Sequence, residues 1–112
     1  MATTYKDDAI QEKLNLIKES VLNTVPDTEA IYLFGSYVNG TPHKDSDLDI
    51  CVVVPDETDD LCEVRGAIRS GLYRKLDMPM DLLIKTSTNF HKRKQVATLD
   101  KVIAKEGVMF YG

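Results

Sequence analysis

Apolar residues recur along the N-terminal part of the chain at the spacing of an amphipathic helix. They lie three or four positions apart, at Ile10, Leu14, Ile17, Val21 and Val25. Residues at this spacing share one face of a helix, so the pattern predicts a helix over residues 6–24. Pro26 cannot continue a helix, and it marks the end of this one.

Short apolar runs rich in β-branched and aromatic residues predict four strands. The predicted strands are Ala30–Phe34, Asp47–Val54, Met80–Ile84 and a last edge strand at Val108–Tyr111. Runs of this length and composition are typical of buried strands. Gly40 and Pro42 mark the polar stretch before the second strand as a loop.

Helical patterns separate the later strands. Apolar residues at Leu61, Val64, Ile68 and Leu72 predict a second long helix, for which Thr58 or Asp59 would provide the N-cap. Residues 89–97 and 98–106 are also predicted to be helical. Strands and helices thus alternate, which favours a two-layer α/β domain with the functional residues along one edge or face of its sheet.

Composition narrows the class of protein. A chain of 112 residues supports one domain, which we expect to span residues 1–112. The net charge of −4 argues against a nucleic-acid partner, because such binding depends on Lys and Arg that neutralise phosphates. No apolar run is long enough for a membrane span, and the N-terminus lacks a signal-peptide core, so we expect a cytoplasmic protein. Without CxxC spacing, Cys51 and Cys62 are predicted to be reduced packing residues.

A glycine–serine pair and two aspartates form the most informative motif. Gly35-Ser36 is followed, after ten residues, by Asp47-Leu48-Asp49 at the start of an apolar strand. Alternate strand residues share a face, so the two carboxylates are expected to lie together and to repel each other unless a cation binds between them. Carboxylate oxygens suit Mg²⁺. A Gly-Ser turn can offer backbone N–H groups to a phosphate.

Asp81 is the candidate for a third carboxylate. It stands at the head of the apolar strand that begins at Met80, where burial of an unpaired acid is costly. The alternative is that Asp81 caps a turn after Pro79. For Asp47 and Asp49 the alternative is a solvated strand start, and for Gly35 and Ser36 an ordinary strand-to-helix turn.

Gly-Ser followed after ten residues by Asp-x-Asp resembles the signature of the DNA polymerase β-like nucleotidyltransferases. The chain is most similar to their smallest branch, the minimal nucleotidyltransferase (MNT) proteins, which occur as antitoxins beside HEPN-domain toxins. The resemblance extends over nearly the whole chain, including residues 103–111. It implies an α/β (α+β) nucleotidyltransferase fold, with helices packed on a mixed sheet.

The resemblance also implies an activity and a set of site residues. The activity is metal-dependent transfer of a nucleoside monophosphate, AMP from ATP, to a hydroxyl side chain of a HEPN toxin that binds the antitoxin. Two Mg²⁺ ions, or Mn²⁺ in their place, would be held by the catalytic residues Asp47, Asp49 and Asp81. The nucleotide would be bound by Gly35, Ser36, Asn39 and Ser46.

One residue departs from the pattern of the family. Many relatives have a basic residue where this chain has Asn39, and an amide can donate a hydrogen bond to phosphate but brings no charge. The alternative function is therefore a catalytically weak or inactive antitoxin that neutralises its partner by binding. The basic cluster at residues 91–94 is interpreted as a solvated helix face, with docking to an acidic partner as its alternative.

Overall fold

A computed structural model of the chain describes residues 8–35, 47–93 and 107–112. The helices in these ranges are α1 (Asp8–Thr24), α2 (Leu61–Leu72) and α3 (Ser87–Arg93). The strands are β1 (Ala30–Phe34), β2 (Leu48–Val54), β3 (Met80–Thr86) and β4 (Val108–Tyr111). None of the described helices has the length and apolar character needed to cross a membrane.

The four strands form one mixed sheet in the order β3-β2-β1-β4. β1 is antiparallel to both of its neighbours, whereas β2 and β3 run parallel. Parallel neighbours need a crossover connection, and α2 provides it. The predicted α/β (α+β) fold with a mixed sheet is confirmed, and so is the position of β4 at an edge.

The two faces of the sheet carry different apolar clusters. The first face packs against α1 and α2, and its cluster includes Leu14 and Ile17 of α1, Ile68 of α2, and Leu33 and Ile50 of the sheet. The second face carries a smaller cluster of Ala30, Cys51, Val53 and Phe90. Side chains alternate along a strand, so Asp49 shares the second face with Cys51 and Val53.

The predicted N-cap of α2 is wrong by one or two residues. Neither Thr58 nor Asp59 caps the helix; the cap is Asp60, whose carboxylate accepts a hydrogen bond from the Glu63 N–H at 3.1 Å. Asp60 has a φ of 45°, in the left-handed region that Asp tolerates better than most residues. This backbone conformation brings the Asp60 carboxylate, and not that of Asp59, to the helix end.

Asp60→Ala is expected to lower the free energy of unfolding by about 1–2 kcal/mol, because it removes the cap and keeps the unfavourable φ. Urea denaturation measures this loss. Asp60→Asn is the matched control, since Asn caps helices and tolerates positive φ, and we expect it to lose less than half as much. Equal losses in the two variants would contradict the capping role.

α3 begins two residues before the predicted start at residue 89, because Asp56 caps it from the end of β2. The Thr88 N–H donates to Asp56 Oδ1 at 2.8 Å, and the Thr88 hydroxyl donates to the other carboxylate oxygen. Glu29 fixes the helix from the other side, with Oε1 lying 2.9 Å from Nε2 of His91. The predicted helix 98–106 and the end of the predicted helix 89–97 lie outside the described residues, as does the predicted loop around Gly40 and Pro42.

These two carboxylates should make the anchoring of α3 sensitive to acid. Hydrogen bonds from Ser87 and His91 lower the pKa of Glu29 from 4.5, and hydrogen bonds from Thr88 lower the pKa of Asp56 from 3.8. The folded state thus binds these protons less tightly than the unfolded state. The stabilisation is present above about pH 4.5 and is lost as the pH falls.

We therefore expect Glu29→Gln/Asp56→Asn to melt below the parent at pH 7, with the gap in melting temperature closing towards pH 3. Thermal unfolding monitored by circular dichroism at both pH values measures the gap. A gap of equal size at both values would contradict the assignment.

The two cysteines differ in their environment. Both are free, but Cys51 is buried within β2 and Cys62 is exposed on α2. The predicted packing role is confirmed for Cys51 and is wrong for Cys62. The helical spacing placed Cys62 beside Leu61, and adjacent helical residues point in directions about 100° apart.

Candidate functional site

The sheet brings Asp49 and Asp81 side by side. β2 and β3 are parallel neighbours, and in their register Asp49 pairs with Asp81. On the other side of β2, Asp49 pairs with Phe34, the last residue of β1. Three strands thus bring the Asp-x-Asp motif, Asp81 and Gly35 to one end of the sheet, which we call the carboxylate end.

Asp47 lies just before β2, because the strand begins at Leu48, one residue later than predicted. The expectation that alternate strand residues share a face therefore applies to Asp49 and not to Asp47. Asp47 and Asp81 are exposed, whereas Asp49 is half-buried. The three acids form a site that is open to solvent around one partly buried carboxylate.

Gly35 closes the site from the side of β1. Its φ is 81°, a conformation that favours glycine. A Cβ at this position would collide with the carboxylate of Asp49, meeting its Oδ2 and lying 3.0 Å from its Cγ. The backbone of Gly35 therefore packs directly against the central acid, and only glycine leaves room for the carboxylate.

The electrostatics of the site centre on Asp49. Burial raises the pKa of Asp49 above 3.8, and the neighbouring charges of Asp81 and Asp47 raise it further. The ionised form of Asp49 is thus disfavoured by its surroundings. A cation bound at the carboxylate end would favour the ionised form and so oppose both effects.

The donor set suits Mg²⁺ shared with a phosphate. Among the described residues, no group of three or more His, Cys, Asp or Glu side chains is arranged so that it could hold a metal ion as it stands. Mg²⁺ is usually bound by one or two carboxylates together with waters and substrate phosphates, and not by a cage of protein ligands. Asp49 and Asp81, in register and with the pKa of Asp49 raised, fit this kind of site.

The structure describes some of the predicted site residues and not others. It describes Gly35, Asp47, Asp49 and Asp81, and it brings them to the same end of the sheet. The predicted nucleotide-binding residues Ser36, Asn39 and Ser46 lie outside the described residues. The steric role of Gly35 towards Asp49 was not predicted from the sequence. A glycine at the end of an apolar strand indicates that the backbone is approached closely there. That the approaching group is the carboxylate of Asp49 follows only from the register of β1 and β2.

Comparison with known families identifies the fold of this site. The sequence profile of the nucleotidyltransferase domain family matches residues 14–105. A curated relative, protein adenylyltransferase MntA of Shewanella oneidensis, is 36% identical over 87 residues. The match covers 78% of this chain and 61% of MntA, so the chain spans less than two thirds of that relative.

Solved structures with the same fold include toxin–antitoxin complexes. A crystal structure of a toxin–antitoxin with AMP-PNP matches with a TM-score of 0.61 and 29% identity, covering 88% of this chain and 72% of that one. The structure of a tri-AMPylated Shewanella oneidensis HEPN toxin in complex with its MNT antitoxin matches with a TM-score of 0.57 and 27% identity, covering 91% and 71%. These relatives confirm the resemblance to the MNT branch. The chain belongs to the nucleotidyltransferase domain family.

Proposed function

We propose that this chain is a metal-dependent protein adenylyltransferase, built as a single domain over residues 1–112, that acts as the antitoxin of a HEPN toxin. The observation that carries the proposal is the register of the sheet, which pairs Asp49 with Asp81 beside the turn at Gly35. Two neighbouring carboxylates suit a divalent cation that carries phosphate groups, and the backbone at Gly35, which admits no side chain, leaves room beside them.

The proposed reaction transfers AMP from ATP to a hydroxyl side chain of the partner, a tyrosine. The hydroxyl oxygen attacks the α-phosphorus, the bond from that phosphorus to the bridging oxygen breaks, and pyrophosphate leaves. Asp81 stands next to Asp49 on the exposed side of the site, and we assign to it the acceptance of the hydroxyl proton. Gly35 contributes its backbone N–H to the triphosphate.

Asp47, Asp49 and Asp81 are the residues that would hold Mg²⁺. When bound, the metal would neutralise the charge of the triphosphate and lower the pKa of the acceptor hydroxyl. The protein residues orient the two reactants, which accounts for much of the rate in such transfers. We further propose that Ser36, Asn39 and Ser46 complete the nucleotide site.

The relatives support the choice of a HEPN toxin as the acceptor. The curated relative is a protein adenylyltransferase, and one solved neighbour contains an AMPylated HEPN toxin with its MNT antitoxin. The acidic balance of this chain disfavours RNA or DNA as the acceptor. We propose that the AMP silences the toxin, and that both proteins act in the cytoplasm, where ATP is abundant.

The second candidate is a binding antitoxin with little or no transferase activity. Asn39, in the place of a basic residue of many relatives, favours it because the triphosphate would lose one charged contact. The two candidates differ in whether the partner is chemically modified.

Co-expression with the toxin separates them. The chain and its Asp47→Asn variant are each co-expressed with the HEPN-domain protein encoded beside it or, without one, with the HEPN toxin of Shewanella oneidensis. The toxin is then weighed by intact-mass spectrometry. AMP adducts with the parent alone are the expected result. An unmodified toxin that is bound and inhibited in both cases would establish the binding antitoxin instead.

Nucleotide binding can be tested without the toxin. At about ten times its Kd, a ligand stabilises a protein by about 1.4 kcal/mol, which corresponds to roughly 5–10 °C in a domain of this size. We expect ATP with Mg²⁺ to raise the melting temperature by this amount, and Asp47→Asn to abolish most of the rise. A rise that persists in Asp47→Asn would place the nucleotide elsewhere.

A further inference from the structure

A solvent-exposed tyrosine marks the end of α2. Tyr73 is 72% exposed and is the only large hydrophobic side chain in the described ranges to be so. The guanidinium of Arg74 lies over its ring, 5.4 Å from the centroid. In the part of the chain that the structure describes, Arg74 has no acidic partner. Tyr and Arg exposed together are enriched among the residues that dominate protein interfaces.

A groove lies next to this pair, along the connection from α2 to β3. Its volume is about 200 Å³, and it is lined by Arg69, Leu72, Leu76, Met78, Pro79 and Met80. Small-molecule sites are usually larger, about 300–1,000 Å³, so the groove suits one or two inserted side chains. Methionines adapt to different apolar shapes, which is typical of protein-binding surfaces.

The groove borders the carboxylate end of the sheet. The Leu48 N–H donates to the carbonyl oxygen of Pro79 at 3.0 Å, which joins the groove to the start of β2. Met80 directly precedes Asp81, and its own carbonyl oxygen accepts a hydrogen bond from Arg69 Nη2 at 3.2 Å. Side chains alternate along a strand, so Met80 faces the groove and Asp81 faces the other side of the sheet. Because β3 is an edge strand, a polypeptide bound in the groove could reach Asp81 and Asp47 around this edge.

The part of this surface that α2 and the start of the connection form is basic, although the chain as a whole carries a net charge of −4 and the acids Asp47 and Asp81 lie at its border. Arg69, Arg74 and Lys75 are all exposed there. The one acid of the connection is Asp77, and its carboxylate lies 2.6 Å from Nζ of Lys13. Lys13 lowers the pKa of Asp77, which stays ionised, and the positive charge of Lys13 balances it. The acids of the loop before α2 lie at the opposite end of that helix, at Asp56, Glu57, Asp59 and Asp60.

We propose that the acceptor protein docks on this α2–β3 surface, formed by Arg69, Tyr73, Arg74, Met78 and Met80. The occupant is a segment of the HEPN toxin that inserts an apolar side chain into the groove and presents acidic side chains to the arginines. Charge complementarity of this kind fixes orientation and speeds association. The inference rests on the proposed function and adds the binding site of its acceptor.

Isothermal titration calorimetry with the toxin named above tests the surface directly. Tyr73→Ala and Arg74→Glu are compared with Lys92→Glu, the same reversal of charge on α3, where the sequence offered the alternative docking patch. We expect the first two to raise Kd by about tenfold or more and Lys92→Glu to change it by less than about twofold. All three should keep the parent's stabilisation by AMP-PNP with Mg²⁺.

The outcomes separate this inference from the proposed function. The docking surface would be overturned, and the transferase left intact, if Tyr73→Ala and Arg74→Glu bind the toxin as tightly as the parent does. It would also be overturned if Lys92→Glu weakens toxin binding as much as they do. A parent that binds no HEPN toxin would overturn it too. If AMP-PNP with Mg²⁺ no longer stabilises Arg74→Glu, then Arg74 contacts the triphosphate and the docking proposal is overturned. Arg74-dependent binding without any AMP adduct would support docking and reject the transferase.

Discussion

Asp49→Ala is expected to abolish adenylyl transfer and to leave the metal-free protein as stable as the parent or more so. Loss of one central charged group from such a site costs about 10²–10³-fold in rate or more. The stability should hold because burial and the charges of Asp81 and Asp47 raise the pKa of Asp49, so its ionised form is a cost to the folded state. AMP incorporation into the toxin measures transfer, and thermal unfolding in EDTA measures stability.

Asp59→Ala provides the matched control, since it removes the same charge from an exposed position before α2. It should retain transfer within about twofold, because its carboxylate lies at the end of α2 away from the site. If Asp49→Ala melts far below both the parent and Asp59→Ala in EDTA, Asp49 is a structural residue and the site assignment fails.

The bounds of a strand or helix could be predicted from the sequence where a single local pattern determines them. The strand Ala30–Phe34 and the last strand Val108–Tyr111 have the bounds read from their apolar runs. The N-cap of α2 could not be placed, because Thr58, Asp59 and Asp60 are all capable of capping and the left-handed φ of Asp60 decides among them. The early start of α3 depends on Asp56, which is distant in sequence from Thr88.

The site shows the same division between local and non-local signals. Spacing and strand alternation predicted Asp47 and Asp49 as site residues, and context predicted Asp81 as a third acid, although Asp47 lies just before the strand. The pairing of Asp49 with Asp81 depends on the parallel order of β2 and β3. The family resemblance implied a mixed sheet with a third acid on a neighbouring strand, but neither it nor the periodicity predicted this register. Gly35 and Asp49 are 14 residues apart in sequence, and the local pattern around neither residue predicts their contact.

Gly35→Ala is expected to lower transfer by about 10²-fold and also to destabilise the protein. The positive φ alone costs a residue with a Cβ about 1–2 kcal/mol. The collision with the Asp49 carboxylate adds to this cost, and it displaces the central acid by a distance at which positioned groups lose about 10²-fold in rate. Urea denaturation and AMP incorporation measure the two effects.

A double-mutant cycle with Asp49→Ala separates the collision from the backbone strain. In the Asp49→Ala background the carboxylate is gone and only the Cβ of residue 49, 3.3 Å from the new Cβ, remains. Gly35→Ala should then cost little more than the roughly 1–2 kcal/mol of its φ. Gly66→Ala is the matched control, because nothing lies within 4 Å of a Cβ at this helical position, and it should stabilise by about 0.5–1 kcal/mol. Equal costs of Gly35→Ala in the two backgrounds would show that the glycine does not position Asp49. A smaller loss of stability from Gly35→Ala in the Asp49→Ala background would show that the two residues are coupled. Gly35, which has no side chain, would then leave the space that the Asp49 carboxylate occupies in the site.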